Sequence, residues 1–284
     1  MTALNFGAIG AAAAETEDCT VNKSAKRELP VAGDCLVRMV GYIETGRHEA
    51  RVAGHKPALK AQVHMELCSP KHQIEYDGKK IAPIVKMFMN KGTTSKSGYR
   101  KLFKVMNTAC GGGNQQFIQM IGKPFLATIY HSVPAKEGDA VYANFDLDGA
   151  YSFKKPVQVD VVNETETPIP VPELLNTPYA FLWENEGVSD EQILAMWESI
   201  YVEGEWENED EKTKEVTKTS KNKDQEAIMK NLEWEGSRTQ ALTQEHISLD
   251  DEPTEAEQAI VAEAKAEAPV DLAAAAGTDE VPTL

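Results

Sequence analysis

"SGYRKLFKVMNTA", residues 97–109, interrupts a series of strand-like segments, and its period decides the fold. Its apolar side chains Tyr99, Leu102, Phe103 and Met106 fall at i, i+3, i+4 and i+7. That spacing is one stripe of an amphipathic helix, and Ser97 stands where an N-cap belongs. Upstream the period is two. "AQVHMELCS" (61–69) sets Ala61, Val63, Met65 and Leu67 on one face and Gln62, His64, Glu66 and Cys68 on the other, the mark of a half-buried strand. "GDCLVRMVGYIE" (33–44) reads as a long strand bounded by Gly33 and the "TGRHE" turn. "HQIEY" and "KKIAPIVKMFM" flank Asp77-Gly78, a hairpin signal, while Pro83 demotes part of the second strand to an edge or bulge.

Downstream, "NQQFIQMIG" (114–122) reads as a second short helix, with Asn114 as cap and Gly122 as terminator. "PFLATIYHSV" and "DAVYANFDL" read as strands joined by the turn "PAKEGD", with "AYSFKKPVQVDVV" as a further strand. Consecutive short strands with one helical insertion argue for a mainly β fold, an OB-like antiparallel barrel with a helix between its third and fourth strands. A ferredoxin-like or sandwich arrangement is the alternative.

The sequence divides into a flexible N-terminal segment (1–29), an OB-like domain (30–162), a Pro-rich connector with a docking helix (163–210) and an acidic, mostly disordered tail (211–284). The connector "NETETPIPVPELLNTP" (163–178) holds four prolines. Ser189 and Gln192 form a capping box at the start of "SDEQILAMWESIYV" (189–202). The apolar stripe of that helix, Ile193, Trp197, Ile200 and Tyr201, must dock on the barrel, a partner or another copy. Residues 204–223 are polar and read as mobile. A short helix is expected at 224–235, with disorder as the default from Thr239, where 11 acidic residues face one basic residue and no aromatic.

The net charge of −16 conceals a split. Residues 21–136 carry 19 Lys/Arg against 7 Asp/Glu, whereas residues 137–284 carry 10 against 35. A basic module followed by an acidic one hints at nucleic-acid binding plus an acidic tail. The N-terminus lacks the basic start of a signal peptide. Apolar runs fall short of the roughly 20 residues of a membrane span. Cys19, Cys35, Cys68 and Cys110 lie far apart, as free thiols of a reducing cytosol would.

Catalytic signatures are missing. The glycines of "NTACGGGNQQ" (107–116) are followed by Asn114-Gln115-Gln116, without the lysine and hydroxyl of a phosphate-binding P-loop. They read as a helix stop, with a fresh helix start at Asn114 whose N–H groups could accept a phosphate. His64, Cys68 and His72 fall four apart, but on strand and turn that spacing does not converge three metal ligands. No nucleophile has its expected surroundings. Neither an enzyme nor a cofactor is expected.

The basic residues sit at or near loops. Arg47, Arg51, Lys56 and Lys60 lie in the long first loop with His48 and His55. Lys86, Lys91 and Lys96 lie at the end of the fourth strand-like segment and after it. Arg100, Lys101 and Lys104 line the helix, and Arg38 lies on the first strand. Tyr42, Tyr76, Phe88, Tyr130, Tyr142 and Phe145 are interleaved, of which Tyr42 and Tyr130 are the better stacking candidates. Single-strand binders combine such a positive groove with aromatic platforms.

Together "GDCLVRMVGYIETGRHE", "VHMELCSPKH", "YRKLFKVMN", "QMIGKPFLATIYH", "VYANF" and "FLWEN" resemble a family of tailed-phage single-stranded DNA-binding proteins of OB type, over roughly residues 33–207. The resemblance implies a non-catalytic, sequence-independent binder of single-stranded DNA in phage replication or recombination, in the cytoplasm of an infected bacterium. Replication or recombination proteins would be partners of its acidic tail, and self-association is left open. The ending "DEVPTL" departs from the phenylalanine that closes bacterial single-strand binders. The competing function is an acidic host-takeover factor or DNA mimic that works through the C-terminal half.

Overall fold

The computed structural model describes residues 29–50, 54–76, 79–133, 141–209 and 216–250. Its longest strand, β1 (Gly33–His48), organises the barrel. One edge of β1 pairs with β2 (Ala58–Leu67). After a 3-10 turn at Pro70–His72 comes a small hairpin of β3 (Ile74–Tyr76) and β4 (Lys79–Ile81). The expected strand breaks at Pro83 and resumes as β5 (Ile84–Asn90), antiparallel to β2. Helix α1 (Gly98–Ala109) follows. Then β6 (Pro124–His131) returns along the other edge of β1, pairing with Gly33–Arg38.

The strand expected over "DAVYANFDL" is broken into β7 (Ala143–Asn144) and β8 (Asp146–Leu147). β8 makes a tight hairpin with β9 (Ala150–Tyr151), and β10 (Phe153–Lys154) pairs with β6. The sheet order β10-β6-β1-β2-β5 is fifth, fourth, first, second, third, with β7 beside β6 and approaching β5. This is a nearly closed OB-like antiparallel barrel, and α1 lies between its third and fourth strands.

Two irregularities in the β1–β2 ladder, at Met39/Gly41 and Glu44/Gly46, let β1 bend around the barrel. The first also changes its phase. Cys35, Val37 and Met39 point inward, but beyond the bulge Tyr42 does, and Ile43 points out. The interior is filled by Val63, Met65, Leu67, Leu102, Met106, Phe117, Phe125 and Phe153, among others. Tyr42 stacks on Phe117 with ring centroids 5.4 Å apart. Ser97 Oγ accepts the Arg100 N–H, as an N-cap should. The three glycines 111–113 all have positive φ, a conformation that favours glycine.

The second short helix is instead a 3-10 turn, Phe117–Met120, capped by Gln116 and Gln119 rather than Asn114. Asn114 is held back by Asn107, whose Oδ1 accepts the Asn114 N–H at 3.1 Å. The Gln115 and Gln116 N–H groups both donate to Gln119 Oε1. All three N–H groups are therefore occupied, which removes the phosphate reading of this segment.

The chain then wraps the barrel. A hairpin of β11 (Val157–Asp160) and β12 (Thr165–Pro168) takes up the first part of the connector. Residues 171–176 cross the outer face of β1 and β2, and β13 (Tyr179–Phe181) pairs parallel with Gly41–Ile43, where β6 has left the edge free. Helix α2 (Asp190–Ser199) has the expected Ser189/Gln192 capping box. The polar stretch after it forms β14 (Glu205–Glu209) and β15 (Val216–Ser220). Helices α3 (Lys223–Met229) and α4 (Arg238–Asp250) follow, so helix extends into the stretch expected to lack structure. The tail beyond 250, the N-terminal segment through 28 and Asp77-Gly78 lie outside the described residues.

The stripe of α2 docks on the barrel. Ile193 and Ile200 bury with Ile43, Phe181, Trp183 and Ile228 in a second apolar cluster, while Tyr201 stays exposed. Trp197 and Trp234 stack there at 5.8 Å. Among the described residues no helix is long and apolar enough to cross a membrane.

Beneath the connector, Glu66 has no exposed surface. Its carboxylate accepts the N–H groups of Leu175 (2.8 Å) and Asn176 (2.9 Å) and the Asn176 side-chain amide (2.7 Å). Glu66→Ala removes the acceptor of these three part-buried donors, so the urea midpoint, followed by fluorescence of the tryptophan cluster, should fall by the equivalent of roughly 2 kcal/mol. Glu66→Gln, which keeps one acceptor oxygen, should lose less. An unchanged midpoint in the alanine variant would show that the connector is held by other contacts.

Candidate nucleic-acid interface

OB barrels usually take oligonucleotides on the face of the second and third strands and on the loops beside it. Here the outward row of β2 is Gln62, His64 and Glu66, all buried. His64 Nδ1 lies 2.7 Å from the Tyr179 hydroxyl, and Nε2 lies 2.8 Å from Gln62 Oε1. Because an amide oxygen only accepts, Nε2 carries the proton and the tyrosine hydroxyl donates to Nδ1. Burial, with Lys86 nearby, holds the imidazole pKa well below its ordinary 6.5. Residues 171–181 thus lie on this face as the start of a fixed arm that continues through α2 and α3.

The arm also engages the expected cations. Arg38 donates to the carbonyls of Gly122, Val171 and Pro172 and pairs with Glu173 at 2.9 Å. Arg47 pairs with Glu233 (2.7 Å) and Lys86 with Asp224 (3.0 Å). Lys91 pairs with buried Glu44 (2.7 Å), which also accepts the Tyr42 hydroxyl at 2.8 Å. Tyr42 itself is a core residue with no exposed surface, so its ring cannot receive a base. The phase change in β1 turned it inward. Tyr130 is half-buried on β6, across β1 from β2 and β5. Arg51 lies outside the described residues, and Lys96 is exposed in the loop before α1.

What stays open is the end of the barrel where β1 ends, β2 begins and β5 ends. A cleft of about 570 Å³ lies there, lined by His48, Glu49, His55, Lys56, Lys60, Gln62, Asn90 and Phe88. Lys60 reaches the Glu49 carbonyl at 3.3 Å. Burial and Lys60 lower the His48 pKa, partly opposed by its hydrogen bond to the Thr45 carbonyl. Phe88 is 68% exposed and stands opposite Gln62 in the ladder.

Sequence reasoning named Phe88 among the interleaved aromatics but ranked Tyr42 and Tyr130 above it. Its signal was an aromatic on the otherwise polar row Lys86, Phe88, Asn90, while Val85 and Met87 point inward. On α1, Arg100, Lys101 and Lys104 are exposed and make no ion pair among the described residues. Burial pushes the Cys35 and Cys68 thiols up to about 12, so both are protonated at neutral pH and unfit as nucleophiles.

The His64 clamp has a pH signature. A histidine whose folded pKa is depressed contributes stability that is complete above its unfolded value, near 6.5, and is lost as pH falls toward the folded value. Thermal melts should therefore show the melting temperature declining as pH drops below about 6.5, with a shallower decline in His64→Gln. Equal pH slopes in the two proteins would place the acid sensitivity elsewhere.

No protein-family model, no curated protein and no solved structure matches this chain.

Proposed function

We propose that this protein binds single-stranded nucleic acid, DNA by the resemblance noted above, without catalysis and without sequence preference. The observation that carries the reading is the cleft at the end of the barrel, where the exposed ring of Phe88 lies among Lys56, Lys60, His48 and His55. Cations track phosphates, and an exposed ring accepts any base on its face. The cleft is built from the β1–β2 loop and the ends of β2 and β5, surfaces that OB barrels use for oligonucleotides. The resemblance to tailed-phage proteins sets the expected context, replication or recombination of phage DNA in the cytoplasm of an infected bacterium.

The test is fluorescence anisotropy with labelled single-stranded DNA, duplex DNA and RNA of equal length at two salt concentrations. Single-stranded DNA should bind best, and its affinity should fall steeply with salt. Phe88→Ala should weaken binding about tenfold, the value of one stacked base. Lys56→Gln with Lys60→Gln should flatten the salt dependence. Equal affinity for duplex, or an affinity indifferent to salt, would overturn the reading.

A further inference from the structure

Resting on that single-strand reading, we infer that a strand leaving the cleft turns onto α1, where Arg100, Lys101 and Lys104 hold its phosphates, instead of running along the outer face of β2. Three observations lead there. First, the face of β2 is occupied. Glu66 and His64 are bonded to residues 175–179, and Lys86 is neutralised by Asp224 of α3. A polyanion following that face would have to displace buried hydrogen bonds and the apolar cluster around Ile43.

Second, the cleft and α1 share a wall. Lys60 pairs with Asn90 across the β2–β5 ladder, and the Lys91 N–H donates to the Leu59 carbonyl at 2.7 Å. On the far side of that wall is a smaller pocket of about 120 Å³, lined by Leu59, Lys91, Thr93, Tyr99, Arg100 and Gln116. The surface therefore runs from the cation of Lys60 over Lys91, whose ammonium is paired with Glu44, to the cation of Arg100 without crossing the arm.

Third, the charges on α1 are arranged against its own dipole. Its first turn has no acidic residue, yet Arg100 and Lys101 lie there, at the positive end of the helix. Lys104 follows one turn after Arg100 on the same exposed side. Three cations without an ion pair among the described residues repel one another and the helix terminus in this position, and a polyanion laid along them relieves both repulsions. Neither the fold nor the N-cap requires them, because the packing is done by Tyr99, Leu102 and Met106 and the cap by Ser97.

The experiment compares full-length wild type with the triple variant Arg100→Gln, Lys101→Gln, Lys104→Gln on a short and a long oligo-dT. About 6 and about 20 nucleotides are suitable, the first near the lower end of OB-fold site sizes and the second beyond their upper end. Lys71→Gln, which removes a cation beyond the opposite end of β2, is the control. Each contacted phosphate contributes about 0.7 to the slope of log K against log salt on single strands. Loss of three contacts should therefore reduce the long-oligomer slope by about 2. The short oligomer, held in the cleft, should bind all three proteins alike.

A triple variant with wild-type circular dichroism and an unchanged long-oligomer slope overturns the inference. Equal weakening on both oligomers also overturns it, since α1 would then belong to the cleft and not to an onward path. A wild-type protein that binds neither oligomer overturns the single-strand reading itself, and with it this extension.

Discussion

The arrangement depends on one buried carboxylate. Glu66 lies on the outer row of β2, where a barrel strand would ordinarily meet water, yet it has no exposed surface. A carboxylate removed from water must receive several hydrogen bonds, and all three that Glu66 accepts come from Leu175 and Asn176, more than a hundred residues along the chain. The connector is thereby part of the barrel wall. His64 with Tyr179, and Arg38 with three backbone carbonyls, seal the same surface in the same way. Beside this polar seam the apolar cluster around Ile43 anchors β13, α2 and α3. The polar contacts set the register of the arm, and the cluster supplies the area that holds it down.

That attachment redistributes charge. Along the chain the basic and acidic regions are separate, but in space the arm returns Glu173, Asp224 and Glu233 to Arg38, Lys86 and Arg47. Partly exposed ion pairs contribute little stability individually. Their larger effect is to cancel cations over the outer face of β2, whereas Lys56, Lys60 and the cations of α1 have no ion pair among the described residues. At the open end of the barrel, Lys56 and Lys60 stand beside the exposed ring of Phe88. A closed face and an open end follow from the same contacts.

Much of the barrel was legible in the sequence because it rests on local rules. The period of two in 61–69, the stripe Tyr99, Leu102, Phe103 and Met106, the Ser97 cap and the Ser189–Gln192 capping box all depend on residues a few positions apart. The structure has the strand, the helix stripe and both caps, although β2 is buried on both faces rather than half-buried. The misreadings arose where the local rule was incomplete. Asn114 has the chemistry of a cap but is held by Asn107, leaving Gln116 to start the turn. Tyr42 had the surroundings of a stacking platform, but the bulge before it reversed the phase of β1 and carried its ring into the core.

By itself, then, the sequence determined the main strands of the barrel, where the helix interrupts them and that the chain is divided in charge, because hydrophobic period and capping chemistry act within a few residues. Only the tertiary structure decided which surface remains available. Alternation along β2 says that its two faces differ, but not that the polar face meets water. The partners of Glu66, His64 and Lys86 lie 109, 115 and 138 residues away. No local pattern encodes contacts at that separation, so the division between neutralised and open cations emerges only when the arm is laid on the barrel.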